Sequence, residues 1–210
     1  MNTKEINDSL INTIRSPELE GLTIDFSEIV LDSLSDTDGI IKDFPVVGAV
    51  VKIIKLGFSF KDVLFLRKLG KFLWHLRDVP LRKRKELIEK LERDSEYRDD
   101  VGYKIMLLLD RADDFEKPKL IANSFKAYLE EDITYSELQR INFAVDHLYI
   151  GDIKEFKQFY HDPQHSMDEC THKNLELCGF VDLIMMMGGA SEPTINKLGR
   201  LFAEKIVLRE

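Results

Sequence analysis

The sequence predicts a mainly α-helical protein: a multi-helix bundle over residues 1–160, then a small α/β unit over 161–210 that contains a β-hairpin. Three observations predict it. Apolar residues recur at helical spacing through most of the chain. Capping and breaking residues punctuate those stretches. The pattern changes once, late in the chain, to a short apolar run, a Gly-Gly turn and a second short run, as a hairpin requires.

The elements follow in order. Asn2 to Arg15 is amphipathic and is stopped by Ser16-Pro17, because the residue before proline avoids the helical region. Leu22 to Leu34 places Ile24, Phe26, Ile29, Val30 and Leu34 on one face, and Ser35-Asp36-Thr37-Asp38-Gly39 breaks it. Pro45 suits the first turn of the next helix. Its apolar run from Val46 to Leu56 leads to a kink or link at Gly57-Phe58-Ser59. A helix from Ser59 to His75 has Val63, Leu64, Leu66, Leu69, Phe72, Leu73 and Leu76 apolar, and Pro80 closes that region. Leu81 to Arg93 is charged, with Leu87, Ile88 and Leu91 as its stripe. Val101 to Leu109 reads as a buried helix. Pro118 fits the first turn of a helix running to about Glu130. Thr134 and Glu137 form a capping box, in which each side chain bonds the other's backbone N–H. The helix they start carries Leu138, Ile141, Ala144, Val145 and Leu148. After Tyr160 comes a loop, then a helix from Met167 to Cys178. Val181 to Met187 reads as a strand, Gly188 to Ser191 as a turn, and Glu192 to Ile195 as the return strand. Asn196 caps a last helix ending near Leu208.

Composition bounds the class. Apolar residues make up 44% and charged residues 32%, which suits a packed domain better than a disordered chain. No apolar run approaches the roughly 18 residues of a membrane helix, and no signal-peptide pattern opens the chain. Two cysteines alone, Cys170 and Cys178, suggest no disulfide framework. The expected location is the cytoplasm. The net charge of −8 is unevenly spread. Residues 39–90 hold 13 of the 30 basic and 5 of the 38 acidic residues, a local +8, which leaves 17 against 33 elsewhere. That basic stretch either packs near the acidic ones or meets an anionic partner.

Near the C-terminus stand Leu175-Glu176-Leu177-Cys178-Gly179-Phe180-Val181 and, after the hairpin, Ile195-Asn196-Lys197-Leu198-Gly199-Arg200-Leu201-Phe202. This resembles the end of a winged-helix domain. There a helix closes on Leu-x-x-x-Gly-Phe/Leu-Val/Ile, a hairpin wing follows, and the final helix opens with an apolar residue, Thr and Leu-Gly. Asn196 stands where that family usually has Thr, and Asn caps equally well. The resemblance covers about 40 of the 210 residues. It implies a winged-helix-like module in which Gly179 ends a helix with positive φ and Cys178 takes a small core position. It also implies a recognition helix at 167–178, but the exposed candidates there include Asp168, Glu169 and Glu176 against Lys173. A phosphate-neutralising face should be basic, so a packing or protein-contact role is expected over DNA reading.

His161, His165, Cys170, His172 and Cys178 lie within 18 residues. The first four are the candidate metal ligands by residue type. Their spacing lacks the paired knuckle of a zinc finger, and scattered loop histidines with a core cysteine is the competing reading. A nucleophilic Cys170 beside His165 or His172 lacks an oxyanion-stabilising turn. Asp99-Asp100 and Asp113-Asp114 fall near helix ends, where carboxylates favour the dipole. No cofactor is expected.

The reading that follows is a non-enzymatic interaction or regulatory protein binding a protein partner or a second copy. Its expected contact residues are Lys68, Lys71, Arg77, Arg82, Lys83, Arg84 and Lys85. A second reading is a membrane-active effector that turns the amphipathic 45–76 segment onto an anionic membrane, as some bacterial toxins and anti-phage defence proteins do. A third is a nucleic-acid-binding regulator.

Overall fold

The computed structural model describes residues 3–22, 44–48, 59–93, 101–185 and 191–209. The expected helix at 22–34, the break at 35–39, the stretch from Ala49 to Phe58 and the hairpin turn at 188–190 lie outside the described residues, save for Leu22. The chain divides into two compact units, Met1–Ala122 and Asn123–Glu210. The division expected near residue 160 falls inside the second.

In the first unit, α1 spans Thr3–Ile14 and buries Leu10, Ile11 and Ile14. Ser16 ends it and caps a short 3-10 turn, Pro17–Gly21, by accepting from the Glu18 N–H. Pro45 opens a helical turn, as expected, and the Val46 N–H donates to Thr13 Oγ1 at 3.1 Å. α2 spans Phe60–Leu76, one residue beyond the expected range at its end. Ser59 and Asp62 form a capping box at its start, satisfying N–H groups that a helix start leaves open. Its buried Val63, Leu66, Leu69, Phe72, Leu73 and Leu76 recur at three- and four-residue spacing. α3 spans Leu81–Arg93 and buries Leu87, Ile88 and Leu91. α4 spans Val101–Arg111 and buries Ile105, Met106 and Leu109. α4 packs on α1, α2 and α3, and the Gly102 N–H at its start donates to Asn7 Oδ1 of α1 at 2.7 Å.

α5 spans Lys117–Leu129, and the division between the units falls within it. It ends in a Schellman motif. The Asp132 N–H reaches back to the Ala127 carbonyl and the Glu131 N–H to that of Tyr128, which places Glu131 in the left-handed region at φ 64°.

In the second unit, α6 spans Tyr135–His147 behind the expected Thr134–Glu137 capping box. A 3-10 turn, Ile150–Asp152, leads into α7, Ile153–His161. α8 spans Glu169–Leu177 and is capped by Asp168, whose carboxylate accepts from the Cys170 and Thr171 N–H groups. Gly179 takes the left-handed position after it at φ 75°. β1, Val181–Met185, pairs antiparallel with β2, Ser191–Ile195, with Val181 opposite Ile195 and Leu183 opposite Pro193. α9 spans Lys197–Phe202 and runs into a π turn, Ala203–Val207. The protein is mainly α with a small C-terminal hairpin.

Phe156, Phe180 and Phe202 form the centre of this unit's core, with the last two stacked at 4.2 Å between ring centroids. Several buried polar groups there are paired, as burial favours. Ser124 Oγ donates to Asn142 Oδ1 at 2.8 Å, and Asn123 Nδ2 to the Ile206 carbonyl at 2.9 Å. Asp152 accepts from Thr171 Oγ1 and Asn174 Nδ2, tying the turn before α7 to α8.

Candidate functional site

The second unit carries a groove of about 570 Å³ between α6, the end of α8 and the start of α9. Helical phase makes it. On α6, Leu138, Ile141, Ala144 and Val145 turn inward, which leaves Arg140 and Phe143, three residues apart, on the outer side. On α8, Leu175 is buried, so Leu177, two residues on and about 200° around the helix, faces out. Phe143 is 60% exposed and Leu177 80% exposed. Both line the groove, with Leu198 and Lys197 on the far wall.

The walls are held rather than loose. The His147 ring lies 4.3 Å from that of Phe143, and its Nδ1 sits 2.8 Å from the Phe143 carbonyl oxygen. Asn196 ties the floor together. Its Nδ2 donates to the Gly179 carbonyl and to Asp182 Oδ1, both at 3.0 Å, and its Oδ1 accepts from the Gly199 N–H. Its own N–H donates to the Phe180 carbonyl. Lys197 Nζ lies 2.6 Å from Glu137 Oε1. That bond, reinforced by the Thr134 backbone N–H, holds the Glu137 carboxyl down at about 2.

A second concavity, about 670 Å³, lies between Phe159, the loop after α7, the start of α8 and the hairpin residues Leu183 and Pro193. His165 and His172 both line it. His165 Nε2 is 2.9 Å from Glu155 Oε2, whereas the buried Nε2 of His172 has no hydrogen-bond partner among the described residues.

Of the four candidate metal ligands, His165 and His172 share the second concavity. His161 is exposed and packs edge-on against Tyr160. His165 is engaged with Glu155. Cys170 is exposed at the start of α8, while Cys178 is buried and directs its Sγ at the Ala144 carbonyl, 3.7 Å away. Among the described residues, no group of three or more His, Cys, Asp or Glu side chains is placed to hold a metal ion.

The expected basic contact surface also divides. Lys68 Nζ donates to the Asp110 carbonyl at 3.0 Å, and partial burial lowers its pKa. Lys71 pairs with Glu116 at 2.5 Å, and Arg77 stacks over the Trp74 ring at 3.1 Å. Arg82 is exposed beside Glu86, Lys85 is exposed and Lys83 half-buried. Arg84 is a correction: it is fully buried, at 0% exposure, and cannot belong to a contact surface. One turn before Leu87 and Ile88 on α3, it falls on the buried face of that helix. There it donates to the carbonyls of Val79, Ile14 and Ser16 at 2.8, 2.6 and 2.8 Å and meets Glu20 at 3.1 Å. Burial lowers its pKa and Glu20 opposes that shift. Asp113 pairs with the buried Lys117 at 2.7 Å and Asp114 accepts from the Glu116 N–H, so both serve the start of α5. Asp99 and Asp100 lie outside the described residues.

Phe143 and Leu177 were not among the expected contact residues. Their signal was present in the sequence as apolar residues out of phase with their own helix stripes. Among the described residues, no helix is long and apolar enough to cross a membrane. Comparison of the chain with protein-family models, with curated proteins and with solved structures finds no match.

Proposed function

We propose that this protein is a non-enzymatic interaction or regulatory protein, and that the groove beside Phe143 and Leu177 receives a protein partner. The observation that carries this reading is the pair of largely exposed apolar side chains set on a fixed concave frame. Adjoining exposed apolar groups mark contact sites more often than scattered ones do. Covering each would contribute about 1.5–3 kcal/mol, and the His147 contact reduces the ordering cost of Phe143 on binding.

The winged-helix-like reading of residues 161–210 belongs to the same proposal. It is supported by the helix–hairpin–helix order, by Gly179 at positive φ, and by Asn196 at the cap. A protein-contact use suits the acidic character of α8, where Asp168 is spent on the cap and Glu169 on Lys173. The cations at Lys68, Lys71 and Arg77 are engaged within their own unit, which favours packing over a membrane or nucleic-acid role for that stretch.

The test is purification of the full chain from its host at low salt, beside the single variants Phe143→Asp and Leu177→Asp. A stoichiometric protein that accompanies the wild type and is absent from both variants is expected. Equal recovery with all three chains would remove the groove from the contact.

A further inference from the structure

We infer, on the contact role proposed above, that the groove accepts an acidic, amphipathic segment of a partner protein, with an apolar anchor between Phe143 and Leu177 and a carboxylate at Arg140. Charge complementarity carries the choice. The charged side chains lining the groove are Arg140 and Lys197, and no carboxylate lines it. The acidic groups nearby are already committed or directed elsewhere. Glu137 holds Lys197 and the Thr134 cap, and Asp182 accepts from Asn196. Glu176 precedes Leu177 in sequence but does not line the groove.

Arg140 is exposed and, among the described residues, makes no ion pair or hydrogen bond. A guanidinium offers a planar fork of N–H donors that fits a carboxylate in two-pronged fashion. It stands one helical turn before Phe143, so an incoming segment can place an apolar side chain and an acidic one on neighbouring positions of a single face. A basic segment would meet the unpaired charge of Arg140, which works against the wrong partner.

The experiment is selection of short random peptides, displayed on phage, against the immobilised full chain. The selected peptides are then synthesised and their affinities measured by fluorescence anisotropy. The expected peptides are net acidic with at least one aliphatic or aromatic anchor. Their binding should be lost in Phe143→Asp and Leu177→Asp, weaken about tenfold in Arg140→Glu, and fall as ionic strength rises. Selection on Arg140→Glu should shift toward basic peptides. All three residues are exposed, so the variants keep the wild-type thermal unfolding midpoint, which is measured alongside.

Apolar peptides without charge bias, bound equally by Arg140→Glu, would overturn the acidic partner and leave the contact role standing. Failure to select any peptide, while the host partner still depends on Phe143 and Leu177, would do the same. Sedimentation showing a dimer that Leu177→Asp breaks would assign the groove to a second copy and overturn the inference.

Discussion

At the scale of single residues, Gly199 and Glu137 fix the C-terminal unit in different ways. A Cβ at Gly199 would overlap the Phe180 carbonyl oxygen and press on the Ile195 side chain. That carbonyl is also the acceptor for Asn196 N–H, so it cannot yield freely. Gly199→Ala is expected to destabilise the protein by about 2–3 kcal/mol, as overpacking does, read by urea denaturation. Glu137 acts through charge. Its folded pKa, about 2, lies below the ordinary 4.5 because of the Lys197 bond and the Thr134 cap. A depressed carboxylate pKa contributes stability that is present above the unfolded value and is lost as pH falls through the folded one. Wild type should therefore be more stable than Glu137→Gln at pH 7, and the gap should close between about pH 5 and 2. A gap independent of pH would show that the carboxylate's charge plays no part. Arg84 is the residue that sequence reasoning placed wrongly. In the string Arg82-Lys83-Arg84-Lys85, charge density suggests solvent, yet α3's own stripe of Leu87, Ile88 and Leu91 puts Arg84 on the buried side. Its three carbonyl partners and Glu20 make burial tolerable. Arg84→Met should cost about 3 kcal/mol or more, because those acceptors would be left buried and unpaired.

At the scale of elements, the legible features were those with a local cause. The Ser16-Pro17 stop, the Thr134–Glu137 box, the Gly179 turn and the Asn196 cap each need only neighbouring residues, and each stands where the sequence puts it. α7 leaves little trace in sequence because its pattern is short: Phe156 and Phe159 are its buried pair, and its start rests on a 3-10 turn that Asp152 anchors through contacts to α8. Such distant bonds leave no mark in a window of sequence. The groove was hidden for the same reason. Phe143 and Leu177 are 34 positions apart, and their adjacency depends on how α6 and α8 pack. The histidine and cysteine cluster shows the converse. Closeness in sequence brings His165 and His172 to one concavity but leaves Cys178 buried and Cys170 exposed. α5 offers an engineering test of the cap argument. Its Schellman position holds Glu131 at positive φ, where a side chain costs roughly 1 kcal/mol relative to glycine. Glu131→Gly should raise stability by about that amount in urea denaturation, and a loss of stability would mean the Glu131 side chain contributes more than its backbone strain.

At the scale of the whole molecule, the uneven charge of the chain does not by itself name a partner. The net −8 and the basic stretch at 39–90 invite an anionic ligand, but Lys68, Lys71, Arg77 and Arg84 bind groups of their own unit. The full chain is accordingly expected to show no salt-sensitive binding to duplex DNA or to anionic vesicles at low salt. Among the described residues, the groove instead offers two largely exposed apolar side chains, Phe143 and Leu177, beside the unpaired Arg140. The most direct measurement is photo-crosslinking in the host, with a photoreactive amino acid placed at position 177 in one strain and at position 82 in another. The proposal predicts one dominant partner polypeptide crosslinked from position 177, lost when Phe143→Asp is added, and none from position 82. Crosslinks from position 82 alone would contradict it and return the contact to the basic face of α3.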